Sequence, residues 1–171
     1  MIFAQREKDR SKLDLISAES KTDIDNWVAK YPADQKQSAV MAALRIVQDQ
    51  NGGYLTHDLI EAVAEYLGMP TIAVYEVATF YSMYELKPVG KYKICICTNI
   101  SCMLCGSDTI VGHLQKKLGI ELGETTSDGK FTLKEVECLG ACVNAPMLQI
   151  GHQYYENLTP EKLDQILDSL D

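Results

Sequence analysis

Two short-spaced pairs of cysteines constrain the fold of this chain more than any other feature of its sequence. Four residues separate Cys97 from Cys102, three separate Cys138 from Cys142, and 35 residues lie between the two pairs. Soft thiolate ligands suit iron–sulfur clusters and zinc, and either centre needs its ligands around one point. We therefore expect a fold that brings two distant loops together.

Composition and charge exclude several classes of protein. The chain has 171 residues, of which 46% are hydrophobic and 23% charged, as in ordinary globular proteins. No stretch approaches the roughly 20 apolar residues that span a bilayer, and the first residues lack the apolar run of a secretory signal. We therefore predict a cytoplasmic protein, whose cysteines stay reduced and serve metal binding or redox chemistry rather than disulfides. The net charge of −8 is spread over both halves without a basic stripe, which argues against nucleic acid as a partner.

The first half of the chain predicts helices. Residues 1–20 are polar and charged, and we predict an N-terminal arm there. Residues 21–87 show helical periodicity throughout, which predicts a small helical bundle. Asp34 and Thr56 are candidate caps of its second and third helices, and Pro70 favours the start of the fourth.

Four aromatic residues near the end of this bundle allow two interpretations. Tyr75, Phe80, Tyr81 and Tyr84 either fill the core of the bundle or form a partner-binding surface, because aromatic residues are enriched at interfaces. The helical pattern favours the core.

The pattern changes after Pro88. Residues 88–171 predict the order strand, helix, strand, hairpin, helix, which fits a small α/β sandwich of the thioredoxin type with cysteines at the strand-to-helix turn. Ser107 is the predicted cap of the first helix in this region, and Thr159 that of the last. The predicted strands and hairpin are Tyr92–Cys97, Phe131–Glu137 and 147–155. The predicted fold class is α+β, with an N-terminal helical bundle followed by a thioredoxin-like α/β domain.

Three kinds of chemistry remain open for the cysteines. Cys102 and Cys105 form a C-x-x-C after a strand and before a helix, the context in which such a motif lowers a thiol pKa for disulfide exchange. That function leaves Cys97, Cys138 and Cys142 without a role. Structural zinc is the second possibility, although the spacings of both pairs are unusual for it.

The third interpretation, a [2Fe–2S] cluster on four thiolates, uses both pairs. Gly140 and Ala141 lie between the cysteines of the second pair, and such small residues let backbone N–H groups approach sulfur closely. A Rieske centre is excluded, because it needs two histidine ligands and His57, His113 and His152 do not neighbour a cysteine pair.

Spacing alone does not select four ligands from six cysteines. Cys95 lies two residues before Cys97 on a predicted strand and therefore shares its face. Cys105 follows Cys102 by three residues. A free cysteine is commonly a small buried hydrophobic residue, which is the simplest interpretation of Cys95 and Cys105.

Four segments carry a family resemblance: residues 97–102 (CTNISC), 135–146 (EVECLGACVNAP), 76–84 (EVATFYSMY) and 123–126 (GETT). They resemble the E-subunit family of NADH:quinone oxidoreductase, respiratory complex I. The resemblance runs from about residue 22 to the end of the sequence, and its cysteine block is highly specific. Residues 1–20 do not contribute to it.

The resemblance implies one [2Fe–2S] cluster bound by Cys97, Cys102, Cys138 and Cys142. It implies an electron-transfer subunit that docks on the flavin-bearing chain, with its cluster near the FMN and off the main electron path. The partner chain would bind FMN and NADH, which agrees with the absence of G-x-G-x-x-G and P-loop motifs from this sequence.

The same resemblance implies a host and a location. The host would be a proton-translocating enzyme, with this subunit among the peripheral-arm subunits on the cytoplasmic side of the inner (plasma) membrane and no direct membrane insertion. Related chains also occur in NAD-linked hydrogenases and formate dehydrogenases, as the equivalent diaphorase subunit. A free-standing C-x-x-C thiol–disulfide oxidoreductase is the alternative from a different class.

Overall fold

The computed structural model describes residues 11–170 and divides into two compact units. The N-terminal unit ends at Pro88, and the C-terminal unit begins at Val89. Each unit has its own hydrophobic core, and the two are described separately.

The N-terminal unit is a bundle of α-helices. Their bounds are α1 Ala18–Val28, α2 Val40–Gln50, α3 His57–Leu67 and α4 Thr71–Phe80. The Thr56 hydroxyl accepts a hydrogen bond from the Leu59 N–H and caps α3, as predicted. α4 begins directly after Pro70, also as predicted, because proline has no N–H to lose at a helix start. The core lies between the apolar faces of these helices.

Two predictions for this unit differ from the structure. Residues 1–10 of the predicted arm lie outside the described residues, but residues 11–20 contribute to the bundle: Ile16 is only 2% exposed and belongs to its core. The Ser17 hydroxyl caps α1 at Ser20 N–H. The predicted cap at Asp34 is wrong, because Ala33–Ala39 forms a 3-10 segment before α2 begins.

The four aromatic residues at the end of the bundle divide between the two interpretations. Tyr84 is buried and donates a hydrogen bond to the Met41 carbonyl at 2.8 Å, so it belongs to the core. Tyr75, Phe80 and Tyr81 are exposed, Phe80 by 80%. Exposure of a phenylalanine ring to that extent is typical of a contact surface.

The C-terminal unit is a four-stranded sheet with helices. The elements are β1 Tyr92–Cys97, α5 Ile100–Leu104, α6 Ser107–Leu118, β2 Phe131–Val136, β3 Leu148–Ile150, β4 Gln153–Tyr155 and α7 Pro160–Asp168. The sheet order is β2-β1-β3-β4, with β1 and β2 parallel and the remaining pairs antiparallel. The predicted strands, the hairpin at Gly151-His152 and the cap at Thr159 are confirmed.

The connection between the parallel strands β1 and β2 determines which ends of the strands and helices lie together. β1 leads through α5 and α6 to β2, so α6 must run back along the sheet while both strands point the same way. The last residues of β1 and β2 and the first residues of α6 therefore share one end of the sheet. The predicted fold class, a helical bundle followed by a thioredoxin-like α/β domain, is confirmed.

Within residues 11–170, no helix has the length and apolarity needed to cross a membrane.

Candidate metal centre

The first cysteine pair lies at a strand-to-helix turn and is buried. Cys97 is the last residue of β1, and Cys102 lies inside the short helix α5. Their exposed fractions are 2% and 1%. The Asn99 side chain accepts a hydrogen bond from Ile100 N–H at 2.8 Å and starts α5, which turns the chain sharply between the two thiols.

The second pair lies in the loop after β2 and is exposed. Cys138 follows the strand, and Cys142 begins a 3-10 turn, Cys142–Asn144. Gly140 adopts φ +81°, a conformation that a side chain would disfavour, and its N–H donates to the Cys138 sulfur at 3.4 Å. The Asn144 side chain donates to Glu156 at 2.9 Å and holds the end of this loop.

The fold brings the two pairs together. The Cys97 thiol donates to the Glu137 carbonyl at 3.6 Å, directly before Cys138. Thr98 ties the same loops twice, through its N–H to the Val136 carbonyl at 3.2 Å and through its hydroxyl to Glu135 at 2.7 Å. These contacts follow from the parallel pairing of β1 with β2, which aligns Cys97 with Val136.

The surroundings of the buried pair are apolar. Cys97, Cys102 and Met147 form a small buried cluster against which Leu139 and Ala141 pack. The Cys97 N–H donates to the Met147 carbonyl at 3.2 Å. Water is therefore excluded from one side of the centre.

This environment disfavours the ionised form of the Cys102 thiol. Burial, followed by its hydrogen bond with Cys97 and the charges of Cys97 and Cys142, raises the pKa of Cys102 from 9.0 to about 11. A hydrogen bond with the Met147 backbone offsets part of that rise. A bound cation is what would hold this sulfur as a thiolate at neutral pH.

Among the sulfurs, those of Cys97 and Cys102 are in hydrogen-bond contact. All six cysteines lie in the described part of the chain, and no three of their sulfurs lie within 4.8 Å of one another. The four predicted ligands nevertheless form a donor set of soft thiolates, partly buried, with backbone N–H groups directed at sulfur. This donor set fits an iron–sulfur centre.

The other two cysteines occupy less suitable positions. Cys95 is half-buried in the middle of β1, opposite Lys134 and Gln149 on the neighbouring strands. Cys105 is exposed at the end of α5. Cys95 thus lies within a strand and Cys105 at a helix end, and the assignment of the other four cysteines as ligands stays a prediction.

A further group of potential ligands is already neutralised by the protein. His57, Asp58 and Glu61 have ligand atoms within 4.8 Å of one another, on the exposed first turns of α3. The Lys12 ammonium binds both carboxylates. His113, on α6, contacts the Asp164 carboxylate at 2.8 Å, as expected for a satisfied surface histidine.

Sequence reasoning missed one residue near the centre and misassigned another. Met147 packs against both buried thiols. The only sequence signal for this contact is that Met147 follows the second cysteine pair closely, next to Pro146. The predicted cap of α6 at Ser107 is wrong, because Gly106 holds the cap position with φ +94° and Ser107 is the first helical residue. The Ser107 side chain is fully buried, and its hydroxyl has no hydrogen-bond partner among the described residues.

Comparison with known families gives a match over most of the chain. The model of the thioredoxin-like [2Fe-2S] ferredoxin family matches residues 24–171. The match includes all six cysteines and most of the helical bundle.

Individual relatives agree with that match. The E subunit of NADH-quinone oxidoreductase from Rickettsia conorii is 55% identical over 143 residues, covering 84% of this chain and 86% of the relative. The E 2 subunit of NADH-quinone oxidoreductase from Rhizobium meliloti is 46% identical over 147 residues, with 86% of each sequence covered.

A solved structure shares the fold at low sequence identity. The air-oxidised NAD+-reducing [NiFe]-hydrogenase superimposes with a TM-score of 0.65 at 20% identity, covering 77% of this chain. The match covers only 22% of the hydrogenase chain, and at this identity the likeness concerns the fold alone.

Proposed function

Because the chain belongs to the thioredoxin-like [2Fe–2S] ferredoxin family and, within it, to the E subunits of NADH-quinone oxidoreductase, we propose that it is the electron-transfer E subunit of such an oxidoreductase, respiratory complex I. In this role it carries one [2Fe–2S] cluster near the FMN of the partner that oxidises NADH. The observation that carries the proposal is the meeting of two distant cysteine pairs at one end of the sheet.

Four cysteines are proposed as ligands, two for each iron. Cys97 and Cys102 are in hydrogen-bond contact and suit one iron. Cys138 and Cys142, on one loop, suit the other. A bound cluster supplies the ability to accept and return a single electron.

The residues around the cysteines determine how readily that electron is accepted. Added negative charge is unfavourable in the apolar cluster around Met147 and in a chain of net charge −8, which lowers the reduction potential. Hydrogen bonds to sulfur act in the opposite direction, because they stabilise the added charge. The N–H of Gly140 supplies one at Cys138, and the Met147 backbone supplies one at Cys102.

The surface beside the cysteines suits a protein partner. Ile100 and Leu104 on α5 are strongly exposed, and Val143 beside Cys142 is 97% exposed. We propose that this apolar rim contacts the flavin-bearing subunit, which holds FMN and NADH, and that the assembly lies on the cytoplasmic side of the membrane with other peripheral-arm subunits. Ile100 and Leu104 lie four positions apart on one face of α5, and exposed apolar side chains grouped in this way mark interaction sites.

A second host, an NAD-linked hydrogenase or formate dehydrogenase, is the alternative implied by the family resemblance, and one such hydrogenase shares the fold of this chain. There the chain would be the equivalent diaphorase subunit, with the same cluster and a similar flavin partner. Co-purification from the native host separates the two, because the flavoprotein would be recovered either with quinone-reducing subunits or with a hydrogenase or formate dehydrogenase.

The geometry disfavours the C-x-x-C oxidoreductase. Such enzymes need an accessible thiol with a lowered pKa at the first cysteine of the motif. Cys102 is buried, and its pKa is raised rather than lowered.

Anaerobic purification of the full chain tests the proposal. We expect a red-brown protein with about two irons and two sulfides per chain and a paramagnetic signal after dithionite reduction. Cys→Ala at Cys97, Cys102, Cys138 or Cys142 should abolish normal cluster assembly. Cys95→Ala and Cys105→Ala are the matched controls and should retain the cluster; its loss in either control would contradict the ligand assignment.

A further inference from the structure

Ser107, five residues after the proposed ligand Cys102, presents an unexplained buried hydroxyl. Its side chain is 0% exposed, and its oxygen has no hydrogen-bond partner among the described residues. Buried hydroxyls are nearly always bonded, and the rare exceptions are explained by a water, an ion or a functional group. Ser107 is the one buried side chain in residues 11–170 whose polar atom lacks a partner.

The topology places this hydroxyl at the cysteine end of the sheet. Ser107 is the first residue of α6, five positions after Cys102, and α6 begins where β1 and β2 end. The buried residues Ile110 and Leu114 lie three and seven positions further along, so Ser107 is on the sheet-facing side of the helix. Its hydroxyl therefore lies on the buried face of α6, at the helix end that starts where β1 terminates in Cys97.

The start of α6 favours a negatively charged neighbour. The first N–H groups of a helix have no partner within the helix, and the aligned peptide dipoles place positive charge there. No side chain caps α6, because Gly106 occupies the cap position. Thiolate and sulfide sulfurs are acceptors of this kind.

We propose that the Ser107 hydroxyl donates a hydrogen bond to a sulfur of the [2Fe–2S] cluster, either a cysteine thiolate or an inorganic sulfide, and so raises its reduction potential. This inference rests on the proposed function. Ser107 is a tuning residue, since the bond strengthens as negative charge is added to the cluster. Its removal should therefore destabilise the reduced state more than the oxidised state.

The test is a redox titration of the anaerobically purified full chain, followed by paramagnetic resonance. Ser107→Ala should keep its iron and sulfide content and show a lower midpoint potential than wild type. Ser107→Cys, whose thiol is a weaker donor, should fall between the two. Thr109→Val is the control, because it removes an exposed hydroxyl from the same helix and should leave the potential unchanged.

Resonance of the reduced protein after exchange into heavy water gives a second readout. One exchangeable deuteron coupled to the cluster in wild type should be missing from Ser107→Ala. Unchanged potentials in both Ser107 variants, with unchanged deuteron coupling, would overturn the proposal and assign the hydroxyl to a buried water. If Ser107→Ala does not accumulate the cluster, the midpoint potential and the deuteron coupling of Ser107→Cys decide: unchanged values overturn the proposal. A wild-type protein without iron and sulfide would instead refute the proposed function.

Discussion

Raising the pH should destabilise the metal-free chain through Cys102. Its pKa rises from 9.0 in the unfolded chain to about 11 in the fold, mainly because the thiol is buried. Two pKa units correspond to about 2.7 kcal/mol at 1.36 kcal/mol per unit. Between pH 9 and pH 11 the folded state holds a proton that the unfolded state has lost, so the free energy of unfolding falls as the pH rises.

Urea unfolding of the anaerobic, reduced, metal-free protein measures this effect. Cys102→Ser removes the titrating group, and the difference between wild type and variant cancels the contributions of the other groups. From pH 8 to 9 the difference should be nearly constant, and above pH 9 it should change in favour of the variant by up to about 2.7 kcal/mol. Cys105→Ser is the control, since an exposed thiol keeps its water contacts when the chain folds.

A flat difference curve would refute the reasoning. It would mean that Cys102 is not held in an apolar environment in the metal-free fold. The raised pKa of Cys102 also affects cluster binding, because ligation by iron must overcome the free-energy cost of ionising this thiol. Cluster insertion should consequently release protons and become weaker at low pH.

Three further predictions concern packing and surface. Leu114→Ala should lower the free energy of unfolding by about 2–5 kcal/mol in chemical denaturation, because the side chain is fully buried between α6 and the sheet; a loss below about 1 kcal/mol would contradict that packing. Tyr84→Phe should cost about 1 kcal/mol by removing the hydrogen bond from the Tyr84 hydroxyl to the Met41 carbonyl, whereas the exposed Tyr81→Phe should be nearly neutral. Phe80→Ser should change stability by less than about 0.5 kcal/mol but reduce recovery of the flavoprotein in co-purification, and unchanged recovery would remove this ring from the interface.

Local signals in the sequence are sufficient for most of the fold. The caps at Thr56 and Thr159 and the start after Pro70 depend only on hydrogen bonds and backbone angles within one turn. The strands around Cys97 and Val136 follow from their run of β-branched and apolar residues.

The sequence-based predictions fail where tertiary packing, rather than local sequence, determines the position of a residue. Ile16 is an isolated apolar residue in a polar segment, and only contact with the bundle buries it. Phe80 shares the helical periodicity of core residues, yet its ring is exposed because no described element covers that face. Serine before an amphipathic helix normally marks a cap, but at Ser107 a glycine one residue earlier takes the left-handed turn.

The proposed ligands also depend partly on local sequence and partly on tertiary packing. Sequence patterns can indicate that two cysteine pairs belong together, but the contact between them depends on the register of β1 with β2. The covering role of Met147 depends on β3 pairing with β1 on the other side. Neither is visible as a local motif.

The unequal exposure of the two cysteine pairs has a consequence for assembly in the cell. A delivery protein can reach Cys138 and Cys142 directly from solvent, while Cys97 and Cys102 are covered. Transfer of the cluster from the delivery protein should therefore begin at the exposed pair, Cys138 and Cys142, and finish at the buried pair, Cys97 and Cys102. Attack by oxidants or chelators on a loaded chain should start from the same outer side, where docking of a partner would provide protection.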